Sequence, residues 1–190
     1  MDSLQAGKSV LIHAAAGGTG LLAVQMAKMT GALVLGTTSS PEKAQLVRQM
    51  GADHVIIYTQ EDVPQRVREL TRGRGVDLVL DSVGKATFEG SLKALAPFGH
   101  LIVYGMASGR TDPFDIRRLF ENSQKVSAFW LVTAMRSPEL ARRGLQQVLD
   151  WIASGKLKIT IGLKLPLSEA AEAHRRMEAR QTIGKIILTT

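Results

Sequence analysis

The chain has no cysteine, few aromatic residues and a shortage of acidic side chains. Without cysteine there is no disulfide framework and no thiolate metal site. That fits a reducing compartment, and a cytoplasmic protein is the expectation. Aromatics make up only 5 % of the 190 residues. A nucleic-acid surface needs rings interleaved with its cations, so this scarcity argues against one. Lys and Arg number 24 against 17 Asp and Glu, a net charge of +7. The basic pairs Arg117-Arg118, Arg142-Arg143 and Arg175-Arg176 each fall in a helical pattern and read as solvated faces. An anionic small ligand accounts for such a balance equally well. No apolar run reaches the roughly 18 residues needed to span a bilayer, and no basic-then-apolar signal segment opens the chain. His13, His54, His100 and His174 have no metal-ligand spacing, and His13 reads as a packed strand residue. No metal site is expected, and no catalytic acid is assigned.

What is present is an ordinary globular composition, 45 % hydrophobic and 22 % charged. Short apolar runs alternate with helical patterns. The strands expected are KSVLIHAA, ALVLGTT, HVIIY, VDLVLDSVG, GHLIVYG and KVSAFWLV. Between the first two, Leu22, Met26 and Met29 have the spacing of a buried helix stripe, which Gly31 stops. Ser40 caps and Pro41 opens the next helix. Further helices are expected over EDVPQRVRELT and TFEGSLKAL, with a short helical piece around Ile116 to Asn122. This alternation predicts an α/β fold: a doubly wound, parallel six-stranded sheet of the Rossmann type. The strands are apolar on both sides, as a sheet covered by helices on both faces requires. A break is expected after Val132, followed by a long helix capped by Ser137 with Pro138 at its first position. A C-terminal strand-helix-strand extension then closes the chain. The units expected are therefore a dinucleotide-binding domain at 1–132, a long helix packing on it at 133–157, and a C-terminal segment at 158–190.

The turn from first strand to first helix carries Ala15-Ala16-Gly17-Gly18-Thr19-Gly20. Set on G-x-G-x-x-G, Ala15 takes the first glycine place, Gly17 the second and Gly20 the third. The second glycine lets backbone approach a pyrophosphate, and the third lets the helix pack close to the sheet. The first amides of the helix would face the phosphates. An NAD site would place Asp or Glu about 20 residues further on. This chain instead has Thr38-Ser39-Ser40, with Lys43 one helical turn on. Hydroxyls plus an ammonium suit a 2′-phosphate, so NADPH is the expected cofactor. Ser40 taken alone reads equally as a helix cap.

The runs VLIHAAAGGTGLLAVQMAK, GTTSSPEKAQL, VIIY, DSVG and VYGMASG resemble the zeta-crystallin-like quinone oxidoreductases, the zinc-independent branch of the medium-chain dehydrogenase/reductases. The resemblance covers nearly the whole chain. It implies that Gly17, Gly18, Thr19 and Gly20 lie against the pyrophosphate, and that Ser40, Lys43 and Tyr58 hold the 2′-phosphate, with Ser39 beside them. It implies further that Ser82 lies near the adenine and ribose edge, Gly105 and Met106 at the nicotinamide ribose, and Phe129, Trp130 and Leu131 beside the carboxamide. Lys185 would approach the pyrophosphate from the returning C-terminal segment. Tyr58 reads alternatively as a strand-end surface aromatic, and Phe129 and Trp130 as core.

Members of that family carry a GroES-like substrate domain before the dinucleotide domain. The expectation is a partial chain, whose C-terminal segment would return to a domain outside it. The implied activity is hydride transfer from NADPH to a quinone or conjugated carbonyl, with a homodimer as the assembly. Three alternatives stand beside it: a cofactor-binding module silent on its own, an enoyl-thioester reductase domain, and a basic RNA-interacting protein.

Overall fold

The computed structural model describes residues 4–190. Six parallel strands form the central sheet: β1 (Ser9–Ile12), β2 (Leu33–Thr38), β3 (His54–Ile57), β4 (Val76–Asp81), β5 (Leu95–Val103) and β6 (Lys125–Ala128). Their spatial order is β3-β2-β1-β4-β5-β6, the doubly wound order expected. Val10 pairs with both Val34 of β2 and Leu78 of β4, so β1 is central. The order reverses between β1 and β4, and a ligand crevice opens at such a switch point beyond the carboxyl ends of the strands.

Four helices cover the sheet: α1 (Gly18–Met29), α2 (Pro41–Gln49), α3 (Val63–Leu70) and α4 (Phe88–Ala94). Alternation along each strand divides the core in two. Val10, Ile12, Val34, Leu78 and Leu80 pack with Leu21 and Val24 of α1 and Ala44 and Val47 of α2. On the opposite face Leu11, Leu35, Ile56, Val79 and Leu101 pack with Val67 of α3 and Phe88 and Leu92 of α4. Each fully buried Val, Leu or Phe contributes about 1.5 to 3 kcal/mol, so the double wrapping is what stabilises strands this short.

Two expectations are corrected. The buried face of α1 is Gly20, Leu21, Ala23, Val24 and Ala27, whereas Leu22 and Met26 are half-buried and Met29 is 42 % exposed. Contact at Gly20 sets this rotation: a Cβ there would lie 2.8 Å from the Ala15 Cα, so the glycine must face the sheet and its i+1, i+4 and i+7 neighbours follow. The sixth strand also ends at Ala128, not Val132. Leu131 to Met135 instead form a short helix, α5, entered from Trp130.

Beyond it runs α6 (Pro138–Ala153), which has no buried residue; Ser137 stands at its N-cap position but, against expectation, makes no side-chain cap hydrogen bond. The extension is β7 (Ile161–Pro166), α7 (Ala170–Glu178) and β8 (Lys185–Thr189), with β7 and β8 pairing in parallel as a separate two-stranded sheet. The side-chain amide of Gln25 in α1 ties this extension to the domain. It donates to the Lys158 carbonyl at 3.0 Å and accepts the Lys158 N–H at 2.8 Å.

Candidate cofactor site

Because all six strands are parallel, their carboxyl ends share one edge, and most of the sequence-derived candidates lie there. Gly17 to Gly20 follow β1, Ser39 and Ser40 follow β2, and Tyr58 follows β3. Ser82 follows β4, Gly105 and Met106 lie just past β5, and Phe129 to Leu131 follow β6.

The glycine loop is built for backbone approach. Gly17 is the N-cap residue of α1 and offers no side-chain cap. Among the described residues the N–H groups of Gly18, Thr19 and Gly20 have no protein partner. Three open amides at a helix N-terminus suit an anion such as a pyrophosphate. Side chains are excluded nearby: a Cβ on Gly36 of β2 would stand 2.9 Å from both the Ala15 Cβ and a Val47 methyl. The residues present therefore fit a dinucleotide's phosphates.

The C-terminal segment forms a wall of this loop. Gly184 pairs with Gly17 in an isolated parallel bridge, and its N–H donates to the Ala16 carbonyl at 2.8 Å. Lys185 follows, its Cγ only 2.7 Å from where a Gly18 Cβ would be. Lys185 is thus brought against the glycine loop from the far end of the sequence.

At the end of β2, Ser40 accepts the Lys43 N–H at 3.4 Å and caps α2. Thr59 donates its hydroxyl to the Ser39 carbonyl at 3.1 Å, holding the end of β3, and with it Tyr58, beside the serines. Tyr58 is 38 % exposed. The Lys43 ammonium donates to the carbonyl of Arg180, just past α7. Partial burial lowers its pKa from the ordinary lysine value, and the neighbouring Arg180 cation adds to the effect. Two cations this close, with no carboxylate at the end of β2, are what a phosphate dianion would relieve. Sequence reasoning missed Arg180, because nothing local links it to Lys43; only the path of the extension brings the two together.

The far side is more open. Gly105 packs on the Ser82 carbonyl, 2.7 Å from where its Cβ would stand. Phe129, Trp130 and Leu131 are 50 %, 67 % and 63 % exposed, so they form an open rim and not core. Met106 is exposed as well. Among the described residues no three His, Asp or Glu side chains form a group that could hold a metal ion. No helix among them is long and apolar enough to cross a membrane.

The profile of the zinc-binding dehydrogenase family matches residues 50–188. The chain belongs to this family. Within it, the chain is 43 % identical over 188 residues to a 2-haloacrylate reductase of Burkholderia, and 42 % over 189 residues to a quinone oxidoreductase of Pseudomonas aeruginosa. These alignments take in 96 % and 97 % of the chain but 55 % and 57 % of the relatives, so it spans little more than half their length. Among solved structures, the quinone oxidoreductase of Escherichia coli complexed with NADPH superposes with a TM-score of 0.92 at 34 % identity, covering 98 % of this chain and 59 % of that one. A mycobacterial protein, also complexed with NADPH, gives 0.92 at 38 % identity, with the same shares.

Proposed function

We propose that the chain is the NADPH-binding part of a reductase that delivers hydride to a quinone or conjugated carbonyl. The observation that carries this reading is the open amide cradle of Gly18 to Gly20, walled by Lys185, with Lys43 and Arg180 meeting at the serine-rich end of β2. NADPH would lie along the strand ends, with its pyrophosphate on the cradle, its 2′-phosphate at Ser39, Ser40, Lys43 and Tyr58, and its nicotinamide toward Gly105, Met106 and Phe129 to Leu131. When bound it supplies the hydride. The protein's part is to fix the phosphates and cover one side of the ring. The conjugated-carbonyl class is supported by the named activities of the two relatives, one acting on 2-haloacrylate and the other on quinones.

In this reading residues 1–132 form the cofactor domain, 133–157 the segment that carries α6, and 158–190 a segment shared with a substrate domain outside the chain. Because the relatives are nearly twice as long, the chain alone is read as a cofactor-binding module, with turnover belonging to the longer protein. A cytoplasmic homodimer completes the proposal.

Calorimetric titration with NADPH and NADH tests it. NADPH should bind at least about tenfold tighter, because a charged hydrogen bond contributes roughly 1.5 to 3 kcal/mol, and Lys43→Ala should abolish the preference. Equal affinity for the two, or no binding of either, would overturn the cofactor assignment. Turnover of a simple quinone by the chain alone would replace the module reading with a self-sufficient enzyme.

A further inference from the structure

We infer that His13 is a positioning residue for the cofactor cradle, acting through a buried one-way chain of hydrogen bonds that runs Thr37, His13, Ser91, Asp81. The inference rests on the cofactor reading above, but its geometry stands apart from it. His13 is 3 % exposed and does not line the crevice. Its Nδ1 lies 3.1 Å from the Thr37 hydroxyl, and its Nε2 lies 3.0 Å from the Ser91 hydroxyl. Ser91 in turn donates to Asp81 at 3.1 Å. These four side chains come from the ends of β2, β1 and β4 and from α4, three of the strand ends that border the crevice and a helix on one face of the sheet.

The direction of the chain follows from donor counting. The Asp81 carboxylate also takes the N–H groups of Val83 and Gly84 and the Thr87 hydroxyl, so Ser91 must spend its single proton on it. Ser91 can then only accept from His13, which requires Nε2–H. Nδ1 is left as the acceptor for the Thr37 hydroxyl. The neutral Nε2–H tautomer is therefore the one that satisfies every member, and no buried side-chain polar atom among the described residues lacks a partner.

A second observation shows what the chain is for. Ala14, the next residue, has φ +49°, a left-handed conformation that disfavours any residue with a Cβ. Strain of this kind persists only where the surroundings over-determine it. Ala14 opens the glycine loop, and its carbonyl accepts the Gly17 N–H at 3.0 Å. On one side His13 is anchored at both ring nitrogens. On the other the Ala15 N–H donates to the Thr37 carbonyl at 3.0 Å. At its far end the chain reaches Asp81, which holds the loop of Ser82 to Gly84 against Gly105 and Met106. One network thus sets both the phosphate cradle and the opposite wall.

The test uses Ser91→Ala, which cuts the link between His13 and Asp81 while leaving Asp81 its other donors. Long-range proton–nitrogen NMR of the imidazole should show Nε2–H in the parent chain. In the variant it should show Nδ1–H, because the Nε2 side then faces a methyl group. NADPH affinity, measured by calorimetry, should fall about tenfold, the effect of losing one buried partner. The amides of residues 14–20 and 82–84 should shift together in the absence of any cofactor. An Nδ1–H tautomer in the parent, or unchanged NADPH affinity in the variant, would overturn the inference. Should the parent chain bind no NADPH, the cofactor reading fails by itself. The inference is then decided by the unliganded amides: unmoved in Ser91→Ala, they refute it.

Discussion

Gly20 and His13 show how little of the site a single residue controls without its neighbours. Gly20 is small because backbone lies against it, and it sets which face of α1 meets the sheet. His13 is buried, and burial pushes its imidazole pKa below the ordinary 6.5, with the Asp81 carboxylate opposing in part. The sign for stability follows. As pH falls below 6.5 the unfolded chain takes up a proton that the folded chain resists. This contribution is whole above pH 6.5 and is lost as pH falls toward the folded value. Asp77 acts in a lower window. Against the push of its partial burial, hydrogen bonds from Arg74, Lys8 and Ser9 hold its carboxyl far below the usual 3.8, so its contribution is lost only as pH falls below that value. Urea unfolding across pH 5 to 8 should therefore show stability rising with pH up to about 6.5 and levelling above it. His13→Gln, which does not titrate, should reduce that slope, leaving the part due to His100, whose pKa is also lowered by partial burial and by Lys125. An unchanged slope in the variant would mean that His13 exchanges protons freely when folded.

At the level of elements, the helix caps separate residues that serve the fold from residues left free for a ligand. Asp62 accepts the Gln65 N–H at 2.8 Å at the start of α3, a close and well-formed cap. Ser40 makes the same kind of contact at 3.4 Å, a longer bond that leaves its hydroxyl more available. Asp62→Ala should cost about 1 kcal/mol of stability, and Ser40→Ala clearly less. NADPH affinity should respond in the opposite order, with Ser40→Ala the more damaging change. Paired denaturation and calorimetry check both rankings. α1 differs again, because it has no side-chain cap and its first amides are open. Of these three N-termini, α1 is the one placed at the switch point of the sheet, where a bound anion could take the place of a cap.

Across the whole molecule, exposed apolar surface is concentrated in the second half. Phe129 to Val132, Met135, Leu140, Leu145 and Leu149 are all close to half exposed or more. β6, which leads into this run, is an edge strand with only β5 as its neighbour. An unpaired edge beside an apolar rim is a surface suited to pairing with a second copy, as the proposed homodimer requires. Sedimentation velocity should find a dimer at micromolar concentration, and Trp130→Glu should shift it toward monomer. A monomer at every concentration would count against the homodimer.

The strand-helix rhythm, the glycine loop and the missing carboxylate after β2 were legible in the sequence because each is local. Apolar runs have one period in strands and another in helices, glycines stand where a Cβ cannot, and a strand end carries its own polar residues. By these means the sequence alone determined a doubly wound parallel sheet and a glycine-rich turn with no side chain in the way of a phosphate. Contacts between distant segments decided the rest. The rotation of α1 was set by backbone packed on Gly20, which outweighed the apolar spacing of Leu22, Met26 and Met29. Lys185 reached Gly18, and Arg180 reached Lys43, only because the extension folds back along the loop. The chain from Thr37 to Asp81 spans four separate stretches of sequence, each unremarkable by itself. Buried polar groups must find partners wherever the fold brings them. Such partnerships are a property of the tertiary structure and leave no periodic trace in the sequence.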